Sequence, residues 1–504
     1  MPVIRGIELV RQEIFDSSEA TIWPERLANH LHFRTQPEVI ERELLFKVGD
    51  PYDSVHVAES ARNLRTLAIF RDVRIDSIRT DSGLVMRVTT RDAWTTRVGG
   101  RLRTSGSQVA FGVSFFEDNF LGTATRAGAS FSSDPVRTTF ALEFRQPRLF
   151  SRTVGLGARW ENRSDGTVFL ALLNRPFYSI SDARGFSLGG EYRDETVNQY
   201  LDGVDVPVDT LNHVMGTIRA SVAWALRRNG RSYVRAGVLG QVVRNDYEPV
   251  SDTAPIPRTV TAALGAYAEW SHARYVTRTG FQTFSRTEDV DLSTTFAGGF
   301  YAAPTFFGYD SAGVGLFAAF RTGASFSRGF IMVNGISDGL ITAAGIDSGG
   351  TVLNTTVAWN PDSNSLVLWH GSSGWLTDPA PGYEFDLGLV SGPRAFGVHS
   401  FTGNRAFFTT AEVRRLLFPR VFGLMGVGIA AYADYGGAWW SGSPVRTGTD
   451  VGIGLRIGQL RTTQAVVSRL DLSWRFANDA VDAGWIVSLG RGFVFSLNAV
   501  RPNR

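Results

Sequence analysis

Val451-Gly452-Ile453-Gly454-Leu455-Arg456-Ile457-Gly458 is the stretch whose reading decides the fold. Every second residue is aliphatic, and the residues between are three glycines and one arginine. A period of two places the aliphatic residues on one face of an extended strand and Arg456 on the other. Working outward, Leu470, Leu472, Trp474 and Phe476 alternate with Arg469, Asp471, Ser473 and Arg475. Phe140, Leu142 and Phe144 alternate in the same way with Ala141, Glu143 and Arg145, and Ile218, Ala220, Val222, Trp224 and Leu226 with residues that include Arg219 and Ser221. A soluble β-sandwich or propeller also alternates. Its strands, however, usually run to about five or six residues, whereas these runs reach about ten. Arg, Asp and Glu on the second face would be costly in a dry core. A membrane-spanning barrel satisfies both faces, with lipid outside and a wet lumen inside. Only helices and closed barrels leave no unpaired backbone in lipid.

The chain has 504 residues, with Gly 54, Phe 35, Tyr 13 and Trp 12, 20% charged residues and a mean hydropathy of -0.05. No apolar run reaches the roughly eighteen residues of a membrane helix. The nearest, Val421 to Ala433, is broken by Gly423, Gly426 and Gly428 and reads better as strand. Aromatic pairs such as Trp439-Trp440 and Phe306-Phe307 fall at expected strand ends, where interface girdles belong. Alternation begins near Trp94, and the roughly 410 residues that follow suffice for about sixteen antiparallel strands.

The absence of cysteine excludes disulfides, thiolate metal sites and a cysteine nucleophile. A net charge of +3 comes almost wholly from dispersed arginine, Lys47 being the single lysine, and dispersed charge is no nucleic-acid footprint. His30 and His32 share a strand face without a third ligand nearby, so no metal or cofactor is expected. Glu117-Asp118 reads as a solvated turn, and no Gly-x-Ser-x-Gly elbow is present. No catalytic residues are visible, and the chain does not read as an enzyme. Met1-Pro2-Val3-Ile4 opens without a basic start and apolar middle, so a processed or trimmed chain is expected.

Residues 1–92 follow a different pattern. Ile4 to Val10 reads as a strand. Thr35 and Glu38 have the spacing of a capping box, which starts a helix carrying Val39, Ile40, Leu44 and Leu45 and ending near Gly49-Asp50-Pro51. A second helix spans about Ser54 to Ala68, and two strands follow, around Phe70 to Ile78 and Leu84 to Thr90, joined through Asp81-Ser82-Gly83. The order is β-α-α-β-β, a small α+β unit ahead of residues 93–504.

Several of these stretches carry a family resemblance. Val39-Ile40-Glu41-Arg42-Glu43-Leu44-Leu45-Phe46, Gly49-Asp50-Pro51-Tyr52-Asp53, Arg62-Asn63-Leu64-Arg65 and Phe70-Arg71-Asp72-Val73 resemble a POTRA domain. Phe116 to Gly122 resembles an early-barrel turn. Together they make the whole chain resemble the BamA/TamA type of outer-membrane assembly and secretion barrels, the bacterial surface antigen family. The match is most specific at Pro393-Arg394-Ala395-Phe396, Glu412-Val413-Arg414 and Tyr432-Ala433-Asp434-Tyr435-Gly436. In that family a loop folds back into the lumen. The resemblance implies that Arg394, with Phe396 beside it, pairs with Asp434 on the wall, while Glu412, Arg414, Tyr432 and Gly436 line the lumen. Ala395 stands where the family usually has Gly, and Pro393 where it has Val.

The resemblance also implies a role in inserting or secreting client polypeptides in a bacterial outer membrane. Residues 1–92, the single POTRA-like domain, would lie in the periplasm and meet unfolded clients there, with accessory periplasmic proteins as possible further partners. The barrel would close where its first strand, near Trp94 to Thr104, meets its last, near Trp485 to Phe493. Gly490, Gly492 and Phe493 form that terminal seam, which the two glycines weaken. Two other readings stand beside this one. The chain could be a passive porin-like channel, or the membrane anchor and translocator of a partner domain that lies outside it. A porin has no need of the N-terminal unit or of an inward loop.

Overall fold

A computed structural model describes the chain except residues 1, 16–22, 24–25, 27–28, 31, 82, 106–107, 150–152, 178–181, 201–203, 205, 251–255, 280, 282–286, 389–390, 423–424, 461–466, 480 and 492–504. Gly492 and Phe493 therefore lie outside the described residues.

The first unit contains β1 (Ile4–Gln12), α1 (Pro37–Glu43), α2 (Ser54–Thr66), β2 (Phe70–Thr80) and β3 (Gly83–Asp92). β3 runs parallel to β1 and antiparallel to β2, so the sheet order is β1-β3-β2. Leu84, Met86 and Val88 of β3 point to one side and are buried against Val39, Ile40 and Leu64 of the helices. Asp53 caps α2 by accepting from the Val55 amide at 2.8 Å. The capping box does not form. α1 begins after Gln36, which makes no side-chain cap, and it ends at Glu43, well before Gly49. Thr35 is drawn instead to Asp92: its amide and hydroxyl donate to the two carboxylate oxygens at 2.8 and 3.0 Å. A buried carboxylate needs donors more than an exposed helix start needs a cap. His32 completes the group, its Nε2 lying 2.8 Å from Asp92.

Beyond residue 95 the described residues form one large antiparallel sheet of twenty strands, from Thr96–Ser105 to Gly484–Arg491, rather than about sixteen. The difference lies in the connections. Arg163 turns to Gly166, Asn229 to Ser232, Phe326 to Gly329 and Thr342 to Gly345 across two residues each. Such tight hairpins leave more of the chain for strands. In the strand order, the first and last strands are neighbours.

The alternation settles which face is which. Ile218, Leu226 and Ile453 are 62%, 67% and 62% exposed, while Arg456 and Asp471 on the other face are 1% and 0%. An outer surface so apolar suits hydrocarbon and would be untenable in water. Trp439 ends the strand Met425–Trp439, and Phe306 stands exposed in a one-turn connection. No helix among the described residues is long and apolar enough to cross a membrane.

Two insertions turn inward. A ribbon, Tyr275–Thr279 paired with Thr287–Asp291, sits between the strands Thr259–His272 and Thr294–Ala303. At the other end, a loop between the strands Ser365–Thr377 and Arg405–Val421 carries the short pair Phe385–Leu387 and Phe401–Gly403. Both pack on inner-face residues. Phe281 meets Phe330 edge-on at 4.9 Å, and Leu292, Leu366, Leu368, Phe396 and Phe408 share one buried cluster with them. The inner face is thus not uniformly polar. Where an insertion covers it, apolar residues replace charged ones, because the covering segment excludes the water that charges need.

Candidate functional site

The strand Arg405–Val421 presents Ala406, Phe408, Thr410, Glu412 and Arg414 inward by alternation. Its neighbour Met425–Trp439 presents Ala430, Tyr432, Asp434 and Gly436, with Glu412 opposite Tyr432 and Thr410 opposite Asp434. The inward loop delivers Arg394 into this wall. Its Nε donates to Asp434 Oδ2 at 2.8 Å and its Nη2 to Oδ1 at 3.2 Å, a two-pronged contact. Nη1 donates to Glu412 at 3.1 Å, and the guanidinium lies 3.4 Å over the Tyr432 ring. The Arg394 side chain is 1% exposed. Phe396 is wholly buried, packing on Phe401 at 5.1 Å, and a Cβ added to Gly448 would collide with its ring. Gly436 sits equally close to the neighbouring strand, where an added Cβ would fall 2.6 Å from the Phe407 carbonyl oxygen.

The charge cluster is larger than the sequence analysis anticipated. Glu412 also accepts from Arg414 at 2.8 Å and from Arg456 at 2.9 Å. Asp471 accepts from Arg456 at 2.5 Å and from Arg469 at 2.9 Å, and stands 3.7 Å from Arg394. Asp450 lies directly across from Asp434 and accepts from the Ala395 amide at 3.2 Å. Four arginines thus face four carboxylates, a balance that a sealed site requires. Arg456, Arg469 and Asp471 were each visible as charged positions on an otherwise glycine-rich or apolar strand. Their mutual pairing was not, because it crosses four strands.

The predicted seam residue Gly490 lies opposite Arg469, and a Cβ there would be 2.6 Å from the Arg469 Nε. The glycine makes room for a guanidinium of the charge cluster. At Glu117-Asp118 the expected solvated turn is not found. Asp118 is buried and takes two hydrogen bonds from Arg97, at 2.6 and 2.9 Å, and Glu117 accepts from Thr96. A carboxylate at a strand end is better served by a facing arginine than by the crowded turn.

The N-terminal unit seats on this early turn and the next. The Gln36 amide donates to the Gly122 carbonyl at 2.9 Å, and Asn119 Nδ2 to Thr35 at 2.9 Å. Glu43 of α1 pairs with Arg148 at 2.6 Å. Burial pushes the Glu43 carboxyl up to about 7, against the pull of the Arg148 guanidinium. No group of three or more potential metal ligands occurs among the described residues.

No family model matches the chain. A stretch of 140 residues is 31% identical to the outer membrane protein assembly factor BamA of Neorickettsia risticii (strain Illinois), spanning 26% of this chain and 18% of that protein. Among solved structures, the chain is similar to BamA from Haemophilus ducreyi lacking POTRA domains 1-3, at 11% identity over 96% of this chain and 84% of that one, with a TM-score of 0.38. It is also similar to CdiB from Escherichia coli, at 13% identity over 97% and 76% of the two chains, with a TM-score of 0.47. Over that stretch the chain is a sequence homologue of BamA, and it spans less than a fifth of that relative's length.

Proposed function

We propose that the protein inserts or secretes client polypeptides at the bacterial outer membrane, with residues 1–92 acting as a POTRA-like domain in the periplasm and residues 93–504 forming the transmembrane barrel. Unfolded clients arrive at the N-terminal domain, where the open edges of β1 and β2 can accept an extended strand through backbone hydrogen bonds alone. The barrel closes between Thr96–Ser105 and Gly484–Arg491. That seam opens laterally, and each freed edge is a template for a client strand.

The observation that carries this reading is the inward loop clamped by Arg394 to Asp434 and Glu412. A passive pore gains nothing from a segment that fills its lumen, and here two inward segments bury apolar residues inside the sheet. The same filling tells against a porin-like channel. The work asked of the protein is strand pairing and guidance, which needs no catalytic group.

Depletion of the protein in its native cell tests the reading. The amounts of other outer-membrane barrels or of secreted polypeptides should fall severalfold. Arg394→Ala should produce most of that loss while the heat-modifiable, folded barrel band persists, because the lipid-facing side chains are untouched. Unchanged client levels after depletion would sink the assignment.

A further inference from the structure

The ribbon formed by Tyr275–Thr279 and Thr287–Asp291 touches more than the lumen wall. Its Asp289 accepts from Arg65 Nε of α2 at 2.7 Å, and its Tyr275 ring lies 4.2 Å beneath the Arg62 guanidinium. A single segment thus joins the N-terminal domain to the buried core of the barrel through Phe281 and Leu292. Where α2, the ribbon and the wall meet there is a cavity of about 660 Å3, within the usual size of ligand sites.

We infer that this cavity is a binding site for an extended polypeptide segment and that the ribbon is its movable wall, an inference that rests on the client-handling function proposed above. The lining explains the class of ligand. Phe177, Tyr233 and Tyr275 offer ring faces, which take any side chain that brings apolar surface. Arg235 is sandwiched by Phe177 at 3.7 Å and Tyr233 at 3.6 Å, a stacked guanidinium whose edge suits carbonyl oxygens. The charges balance, with Arg62, Arg235 and Arg321 against Glu59, Glu269 and Asp291. Asp291 is held by Arg321 at 2.8 Å, and Glu269 accepts from the Tyr233 hydroxyl. No net charge remains to select a ligand by sign. A peptide backbone, rich in acceptors and neutral, meets these terms whatever its sequence.

The contact between the wall and α2 is small. Asn63 Nδ2 and Arg235 Nε are buried without an acceptor among the described residues, which disfavours the present packing relative to one in which they are satisfied. The Arg65–Asp289 pair is partly exposed, and such pairs hold weakly. Parting the ribbon's strands from α2 breaks only the Arg65–Asp289 pair and the Arg62–Tyr275 contact, leaves Phe281 and Leu292 in the core, and widens the cavity.

The test uses the full-length protein in detergent and a fluorescent nonapeptide with the sequence of Val467–Arg475. The chain has no cysteine, so Arg65→Cys with Asp289→Cys supplies a unique thiol pair. An Arg–Asp contact spaces its backbones too widely for a direct disulfide, so a short cleavable bis-thiol reagent bridges the pair. Bridging should weaken peptide binding at least tenfold, and cleaving the bridge should restore it in the same sample. A benzophenone amino acid at Phe177 should cross-link the peptide before bridging and not after. Unchanged affinity on bridging, or binding without cross-linking at Phe177, overturns the site. Peptide that fails to bind while depletion still lowers client levels refutes the cavity alone. Peptide that binds while depletion changes nothing refutes the client-handling function instead.

Discussion

The inner wall carries arginine–carboxylate ladders in two places, and they differ in what covers them. In the early barrel, Arg126 pairs with Glu143 at 2.8 Å, Arg159 with Glu143 at 3.5 Å and with Glu161 at 2.5 Å, and Arg163 with Glu161 at 2.6 Å, continuing to Glu195. This ladder grades from wet to nearly covered, with Arg159 43% and Arg126 23% exposed but Arg163 only 12%. In the late barrel, Arg394, Arg414 and Arg456 around Glu412 are 1%, 4% and 1% exposed under the inward loop. The residue types and strand geometry are the same in both places. Water decides their worth, since exposed pairs contribute little and a sealed pair cannot lose one member cheaply.

The sharpest way to break this contrast is Arg394→Ala. It leaves Asp434 buried with Thr410 as its remaining side-chain donor, and docking of the loop should weaken by about 3–5 kcal/mol. Limited proteolysis should then cut between residues 378 and 404 in the variant and not in the parent. Arg394→Lys should recover only part of the protection, because an ammonium cannot make the two-pronged contact. Wild-type protection in Arg394→Ala would erase the distinction between the two ladders.

Glu43–Arg148 lies between these extremes, a sealed pair at the seat of the N-terminal domain. With the Glu43 carboxyl raised from 4.5 to about 7, the folded state holds its proton more tightly than the unfolded chain does. The stabilisation is therefore complete below about pH 4.5 and is lost as pH rises through about 7, a span worth about 3 kcal/mol. Urea midpoints of the N-terminal domain, followed by amide exchange in α1, should fall over that window. Glu43→Gln should flatten the dependence. A midpoint that instead rises with pH would show that the Arg148 guanidinium outweighs burial and holds the Glu43 carboxyl below its unfolded value.

The smallest effect belongs to the open ladder. Arg159→Ala should cost about 0.2–1 kcal/mol in thermal unfolding, and the difference should shrink as salt is added. A loss as large as that of Arg394→Ala would mean that the early wall is also sealed.

Much of this was legible without coordinates. The alternation at Val451–Gly458 and Arg469–Phe476 identified the outward face correctly, since period two is a local property of extended backbone. The strands and the two helices from Pro37 to Asp92 were readable for the same reason, although Thr35 took a distant carboxylate over its local cap and His30, read as strand, is helical. The strand count was not readable, because two-residue turns such as Asn229 to Ser232 carry little signal. Arg394, Glu412 and Asp434 were recognised through family resemblance, whereas Arg456, Arg469 and Asp471 show only as inward charges until strands are set side by side. The ribbon Tyr275–Asp291 resembles any other hairpin in sequence, and nothing local tells it to fold inward.

The sequence alone determined which side chains form the outer apolar face, that no apolar run has the length of a membrane helix, and that a small α+β unit precedes the sheet. Those features follow from spacing along the chain. Tertiary structure decided which charges are sealed and which stay wet, because burial depends on segments that arrive from a hundred or more residues away, as α2 does at the ribbon.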